Sequence, residues 1–288
     1  MLVTGAKFDL SRLLDRVSDL PAFPVVIEQA TSLANDPQSS ASDLAKVIQN
    51  DTALTAKILR ITNSPFYGMS REISTVKDAV VVMGFSAVRS LSVAMSAMRT
   101  LRTSDGPFFS EEIFWMHSMC CAMVAQRLSK EASLHMDDAF TAGLLHDVGK
   151  LTLHKYAPEP FTAVLTAQAQ AATISCEIEM KLLNTTHAEL GRKLCERWQL
   201  PPSLAAAIGG HHQWRPRQVQ SKLAALCSVA DYICWHHNAK SAIMEGKPAV
   251  SEQTLQILGA PPPAIVKTNS EYKEIQREAR SIMRSVGS

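Results

Sequence analysis

The stretch that most constrains this chain is Ala139 to Leu151, Ala-Phe-Thr-Ala-Gly-Leu-Leu-His-Asp-Val-Gly-Lys-Leu. Its small and apolar residues read as a buried helix. Asp137 and Asp138 supply an N-cap and a negative first turn, and Gly149 marks the end. At helical spacing Ala139, Ala142, Gly143 and His146 share one face, and Asp147 sits on the neighbouring one. A histidine and a carboxylate therefore project from the last turn of an apolar helix. A buried carboxylate is costly unless it is paired, hydrogen-bonded or bound to a metal. The rest of the chain has to supply whatever satisfies these two side chains.

The chain has 288 residues, enough for one large domain or two small ones. With 46% apolar and 19% charged residues it has the composition of a soluble globular protein. A net charge of +2 gives no electrostatic case for nucleic acid or an anionic membrane as partner. The segment Met1 to Lys7 lacks the apolar core of a signal peptide, and the longest apolar run, near Ala79 to Val88, is too short to span a bilayer. The six cysteines include Cys120-Cys121 but no Cys-x-x-Cys, so buried reduced thiols in a cytoplasmic protein are expected.

Helical periods dominate and no run of alternating strands occurs, so the fold class is all-α. The first lobe, residues 1–105, reads as short helices: Leu10 to Asp19, then, after the Leu20-Pro21-Ala22-Phe23-Pro24 break, Pro24 to Ala34. Ser40 or Ser42 caps Leu44 to Gln49, Asp51 caps Ala53 to Thr62, and Ser74 or Thr75 opens Val76 to Met83. Gly84-Phe85-Ser86 is a tight elbow before Ala87 to Leu101. The second lobe, 106–260, starts with Glu111 to Glu131, opened by Ser110 and Glu112, with His117 the one polar group in its apolar stripe. Thr162 to Ala169 is weakly helical; Ser175 to Leu183, Thr186 to Trp198 and Ser203 to Ile208 follow, the last ended by Gly209-Gly210. Gln218 to His236 carries Asp231 among apolar neighbours. Residues 261–288 form a Pro261-Pro262-Pro263 hinge and an amphipathic helix, Glu271 to Val286, suited to docking on the body of the protein or on a second copy.

Three separate helices thus place ionisable residues on apolar stripes: His117, His146 with Asp147, and Asp231. If the helices pack in one bundle these groups meet. Imidazoles and carboxylates together suit a divalent ion such as Fe, Mn, Zn, Ni or Co. His187, His211 and His212 are candidates for a second metal site or for facing a phosphate. His135, His154, His236 and His237 read as solvated or helix-end residues.

The order His117, His146-Asp147, Asp231 resembles the HD superfamily of metal-dependent phosphohydrolases. That resemblance implies that these four residues bind a divalent metal that activates water against a phosphate ester. Lys150 matches a lysine of the branch that cleaves cyclic di-GMP, where it implies a phosphate contact, and His187, His211 and His212 match that branch's extra histidines. The chain then departs from it. His211-His212 is followed by Gln213-Trp214-Arg215-Pro216, without the acidic residue and the Gly-Tyr-Pro loop of that branch.

The first lobe is similar to the HDOD family. The matching stretches are Leu20-Pro21-Ala22-Phe23-Pro24, Ile48-Gln49-Asn50-Asp51-Thr52-Ala53-Leu54-Thr55, Leu59-Arg60-Ile61-Thr62-Asn63-Ser64, Ile73-Ser74-Thr75-Val76-Lys77-Asp78-Ala79 and Met83-Gly84-Phe85. His187-Ala188-Glu189-Leu190-Gly191 followed by Trp198-Gln199-Leu200-Pro201 matches as well, so the resemblance runs from about 20 to 230. Thr52 stands where that family usually has proline. The resemblance implies a two-lobed helical fold and a regulatory or scaffold role in bacterial signal transduction, exerted through a signalling partner, a nucleotide ligand or a homodimer, without catalysis. A metal-dependent phosphohydrolase is the alternative. On either reading Asp147→Ala in the metal-free protein is expected to cost little, since it removes a buried charge.

Overall fold

The computed structural model describes Ser11, Leu13, Asp15 and residues 25–34, 38–64, 67–106, 108–170, 175–212, 221–238 and 250–287. Among these the regular elements are helices, and the β contact is an isolated bridge between Gly106 and Phe109. Of the helix expected over Leu10 to Asp19, only Ser11, Leu13 and Asp15 are described, and they are helical. The Leu20 to Pro24 break and the Gln213 to Pro216 segment lie outside the described residues.

The first lobe contains α1 (Val25–Ala34), α2 (Ala41–Gln49), α3 (Thr52–Thr62), α4 (Val76–Met83) and α5 (Phe85–Thr100). Its helix starts follow the sequence chemistry. Ser40 and Asp43 form a reciprocal capping box on α2. Asp51 Oδ1 accepts from Leu54 N at 3.0 Å, and Thr75 Oγ1 accepts from Asp78 N at 3.0 Å. Thr52 is the first residue of α3, a position where proline is favoured because its missing N–H has no helical partner anyway. Asn63 ties the following turn shut: its amide donates to Leu59 O and Ile73 O, and its Oδ1 accepts from Ile73 N. At Gly84 the chain bends by 113° between α4 and α5.

The second lobe contains α6 (Glu111–Ser129), α7 (Met136–Leu145), α8 (Val148–Tyr156), α9 (Pro158–Gln170), α10 (Ser175–Leu183), α11 (His187–Arg197), α12 (Pro202–Gly209), α13 (Lys222–Asn238) and α14 (Glu252–Leu258); after it, where a hinge was expected, Pro261 caps α15 (Pro262–Ser270). Helices α6, α12 and α13 pack around α7, and α5 of the first lobe lies on α7 as well. The last helix, α16 (Tyr272–Gly287), lies on α6 and α3 and so spans both lobes. Of the two docking options it takes the body of its own chain. Tyr272, Ile275, Ala279 and Ile282 are buried there, and Arg127 of α6 donates to Glu271 at 3.0 Å and Glu278 at 2.9 Å. Among the described residues no single helix is long and apolar enough to cross a membrane.

Two details of the central stretch differ from the sequence reading. The N-cap of α7 is His135, without a side-chain cap bond, and Asp137 and Asp138 occupy the first turn. Gly149 does not end the helix. The break comes earlier, at His146 and Asp147, and Gly149 lies in the first turn of α8. A Cβ on Gly149 would run into the carbonyl oxygen of His187 at the start of α11. Gly143 does the same work on the other side, since a Cβ there would stand 2.8 Å from Ala122 Cα of α6. A glycine after an apolar period usually signals a C-cap, but here the missing side chains let three backbones touch. That approach sets His187 next to Asp147.

Gly149→Ala therefore reverses the ordinary helix preference for alanine. The substitution is predicted to destabilise by about 3 kcal/mol through overpacking against backbone. Chemical denaturation checks this; an unchanged or raised midpoint would show that α8 and α11 separate freely.

Candidate metal centre

Five parts of the second lobe bring ionisable side chains to one place. Helix α6 supplies His117 and Cys121, and the α7–α8 junction supplies His146, Asp147 and Lys150. His187 opens α11, His211 and His212 follow the end of α12, and Asp231 comes from α13. His117, His146, Asp147, Lys150, His187, His211, His212 and Asp231 are each no more than 4% exposed. His135, His236 and His237 are exposed and His154 is half-buried against Phe109, as their patterns suggested.

The distances divide the centre into two adjoining groups. In the first, His117 Nε2 is 3.3 Å from Asp231 Oδ1, and His146 Nε2 is 3.8 Å from the same oxygen. In the second, Asp147 Oδ1 is 3.2 Å from His187 Nε2 and 3.6 Å from His211 Nε2, while His212 Nε2 is 3.0 Å from His187 Nε2. Asp147 joins the groups, because its Oδ2 lies 3.4 Å from His146 Nε2. The same Oδ2 accepts from Lys150 Nζ at 2.6 Å.

The imidazoles are aimed by their other nitrogens. His146 Nδ1 donates to Gly143 O at 2.7 Å, and His211 Nδ1 to Ile208 O at 2.6 Å. Both bonds leave Nε2 as the group facing inward. His187 Nδ1 bonds Glu179 Oε2 at 2.7 Å, and Glu179 also accepts from the His187 backbone N–H at 2.8 Å. Glu179 is fully buried, and sequence reasoning missed it.

A test of whether these residues fit a metal comes from the atoms left over. His146 Nε2, Asp147 Oδ1 and His211 Nε2 are buried and have no hydrogen-bond partner at acceptable geometry. Buried polar atoms are ordinarily paired. Three inward-facing donors without partners, among imidazoles and carboxylates, are what a divalent ion satisfies.

The family profile of the HDOD domain matches residues 20–214. The chain belongs to the HDOD family. An uncharacterised protein of Treponema pallidum (strain Nichols) is 25% identical over 202 residues, covering 69% of this chain and 39% of that protein. The chain thus spans about two-fifths of the length of the curated relative it matches. Solved structures share the fold. An HDOD domain protein of unknown function from Geobacter sulfurreducens superposes with a TM-score of 0.76 at 25% identity, covering 95% of this chain and 97% of that one. A protein from Shewanella amazonensis SB2B provisionally named a phosphohydrolase does so at 0.76 and 22% identity, covering 96% and 98%. One from Marinobacter aquaeolei VT8, provisionally named a signal transduction protein, gives 0.75 and 24%, covering 99% and 63%.

In this HDOD domain the buried charges hold one another ionised. Burial opposes a charged His146, but Asp147 and Asp231 outweigh it and raise the imidazole well above its usual value. His187 is also raised, Glu179 overcoming its burial. Burial likewise opposes ionised Asp147, Asp231 and Glu179, yet facing cations hold all three below the ordinary carboxylate range. Burial lowers His211, and burial with the neighbouring His211 ring takes His212 well below its usual value. The structure also corrects the expectation for Asp147. Its carboxylate is the counter-ion of Lys150, which is itself 4% exposed. Removing it takes the ion-pair partner at 2.6 Å away from a buried ammonium.

Asp147→Asn in the metal-free protein is accordingly predicted to lose about 3 kcal/mol or more, with much of the loss recovered by adding Lys150→Met. Denaturant titrations of the two variants measure this, and a neutral single variant would contradict the pairing. The pH dependence has a defined sign. His146 and His187, with raised values, stabilise below about pH 6.5 and lose that contribution as pH rises through their folded values. His211 and His212, with lowered values, lose theirs as pH falls below about 6.5, and the carboxylates add to the loss below about pH 4. Chelator-treated protein should therefore melt highest near about pH 6.5. A monotonic rise or fall across neutrality would rule this balance out.

Proposed function

We propose that this HDOD domain is a signal-transduction module that works by binding, with a divalent ion at its buried centre as part of its structure. The observation that carries this is closure. All eight ionisable groups are at most 4% exposed, and Lys150 sits directly on Asp147. A hydrolase has to bring a phosphate ester to its ion, and none of these eight groups is presented to solvent for an ester to meet. An ion among His117, His146 and Asp231 ties α6, the α7–α8 junction and α13 together, as metal in a preformed site adds its binding energy to folding. Recognition then belongs to the surface. A groove of about 610 Å³ opens between Arg60, Asn63, Glu72 and Ser285, at the turn that carries the family's Asn63-Ser64 motif, and it offers a surface for a protein partner or a nucleotide.

A metal-dependent phosphohydrolase is the second reading, and one observation favours it. His117, His146, Asp147 and Asp231, the complete donor set of the HD pattern, lie together. The ion would supply a water of lowered pKa and charge neutralisation at phosphoryl oxygens. His117, His146 and Asp231 would hold it with Asp147. Lys150, read from sequence as a phosphate contact, donates to Asp147 at the same centre.

Metal analysis of the purified protein, paired with turnover assays on nucleotide phosphates and cyclic dinucleotides in Mn or Fe, separates the two. Bound metal at the centre without turnover is the expected result. Turnover that disappears in a folded His117→Gln variant would overturn the binding-module reading.

A further inference from the structure

Cys121 is the group at the centre that the His-Asp pattern leaves unused. It follows His117 by one helical turn on α6, so both side chains leave the same face. It is 1% exposed, and its Sγ lies 3.3 Å from His117 Nε2. That sulfur, a nitrogen each of His117 and His146, and an oxygen of Asp231 all lie within 4.8 Å of one another. A tetrahedral ion with bonds of about 2.1 Å to nitrogen or oxygen and about 2.3 Å to sulfur holds its donors roughly 3.4–3.7 Å apart. Three of the six edges, 3.3 Å between Cys121 and His117, 3.3 Å between His117 and Asp231 and 3.8 Å between His146 and Asp231, come close to that range. His146 Nε2 is an independent sign, being buried, without a hydrogen-bond partner and directed into this group.

We propose that Cys121 is a fourth protein ligand, completing a His117, Cys121, His146 and Asp231 site that takes zinc, ferrous iron or cobalt in preference to manganese or magnesium. The proposal rests on the reading that the centre holds a divalent ion, and it names which ion. A thiolate is a soft ligand and selects such ions, whereas carboxylate-rich sites suit manganese and magnesium. As the metal binds, the thiol proton of Cys121 and the Nε2 proton of His146 pass to solvent, and no electrons change hands. One divalent ion, one thiolate and one carboxylate make a set of zero net charge, which suits a place shut off from water. Four protein ligands also close the coordination shell. Structural zinc sites are closed in this way, whereas catalytic ones keep a position for water. Cys121 thus gives a chemical reason for the non-catalytic reading.

The experiment is cobalt substitution of the full chain, followed by absorption spectroscopy and zinc–manganese competition. The expected result is intense tetrahedral d–d bands with a near-ultraviolet sulfur-to-cobalt charge-transfer band. Cys121→Ser should abolish the charge-transfer band and lower zinc affinity about 100-fold, the upper end of what loss of an outer-shell partner costs. Cys120→Ser, which alters the neighbouring thiol on the Tyr272 side of α6, should leave the band in place. Cobalt bands that vanish in Asp231→Asn but show no sulfur transition in the parent protein would overturn the role of Cys121 and leave the metal reading standing. No binding of cobalt, zinc or manganese would overturn the metal reading itself, and the ligand assignment with it.

Discussion

The second lobe is organised around one ionised carboxylate that water does not reach. Asp147 is 1% exposed and has Lys150 at 2.6 Å, His187 at 3.2 Å, His146 at 3.4 Å and His211 at 3.6 Å. Moving such a group out of water costs several kcal/mol even after relaxation, and only close, well-aimed cations offset it. Lys150 and His146 stand beside Asp147 in the chain, but His187 comes from α11, so the demand of one side chain becomes a demand on the backbone. The α7–α8 break lets His146 and Asp147 project from a junction rather than along a helix side. Gly149 lets α11 come close enough for His187 to reach Asp147. The carbonyls of Gly143 and Ile208 then aim two of the rings.

The helical frame was legible in the sequence because period and caps act locally. Ser40, Asp51 and Thr75 start their helices by bonds within three residues. His117 and Asp231 stood out because each is an ionisable residue on a helix stripe that is otherwise apolar. Glu179 gave no such signal. Its helix carries Glu177 two residues earlier, on the opposite side, and only packing shows that Glu177 is exposed and Glu179 buried. Cys121 was hidden for the opposite reason. A cysteine in an apolar stripe is an ordinary core residue, and only its distance to His117 distinguishes it. Gly149 was misread because a C-cap glycine and a close-packing glycine look alike in sequence, and what separates them is a backbone from a different helix. Glu179 and Gly149 both owe their role to a contact made by another element.

The two functional readings share their donors and differ in access. The HD pattern describes which atoms can meet an ion, and the structure brings those atoms together. It does not describe whether a substrate can follow, and that depends on the shell around them. Here the shell is made of charge partners: Lys150 on Asp147, Glu179 behind His187, and His212 against His187. Lys150 and Glu179 lower the penalty of burying the centre by pairing with Asp147 and His187.

The packing also ties the buried centre to the first lobe. The first lobe contributes none of the eight ionisable groups, yet α5 lies directly on α7. The join is polar. Ser90 meets the Thr141 hydroxyl and the Asp137 carbonyl, and Arg89 pairs with Asp138 at 3.5 Å. Asp137 and Asp138, which look in sequence like helix-start residues, thus also face the first lobe. Helix α7 carries these contacts at its first turn and His146 just past its last. Across the body α16 makes a second join, with Arg127 pairing on the helix that carries His117. The first lobe is thus packed on one helix that ends at the centre and is joined, through α16, to another that passes it with His117 along its length.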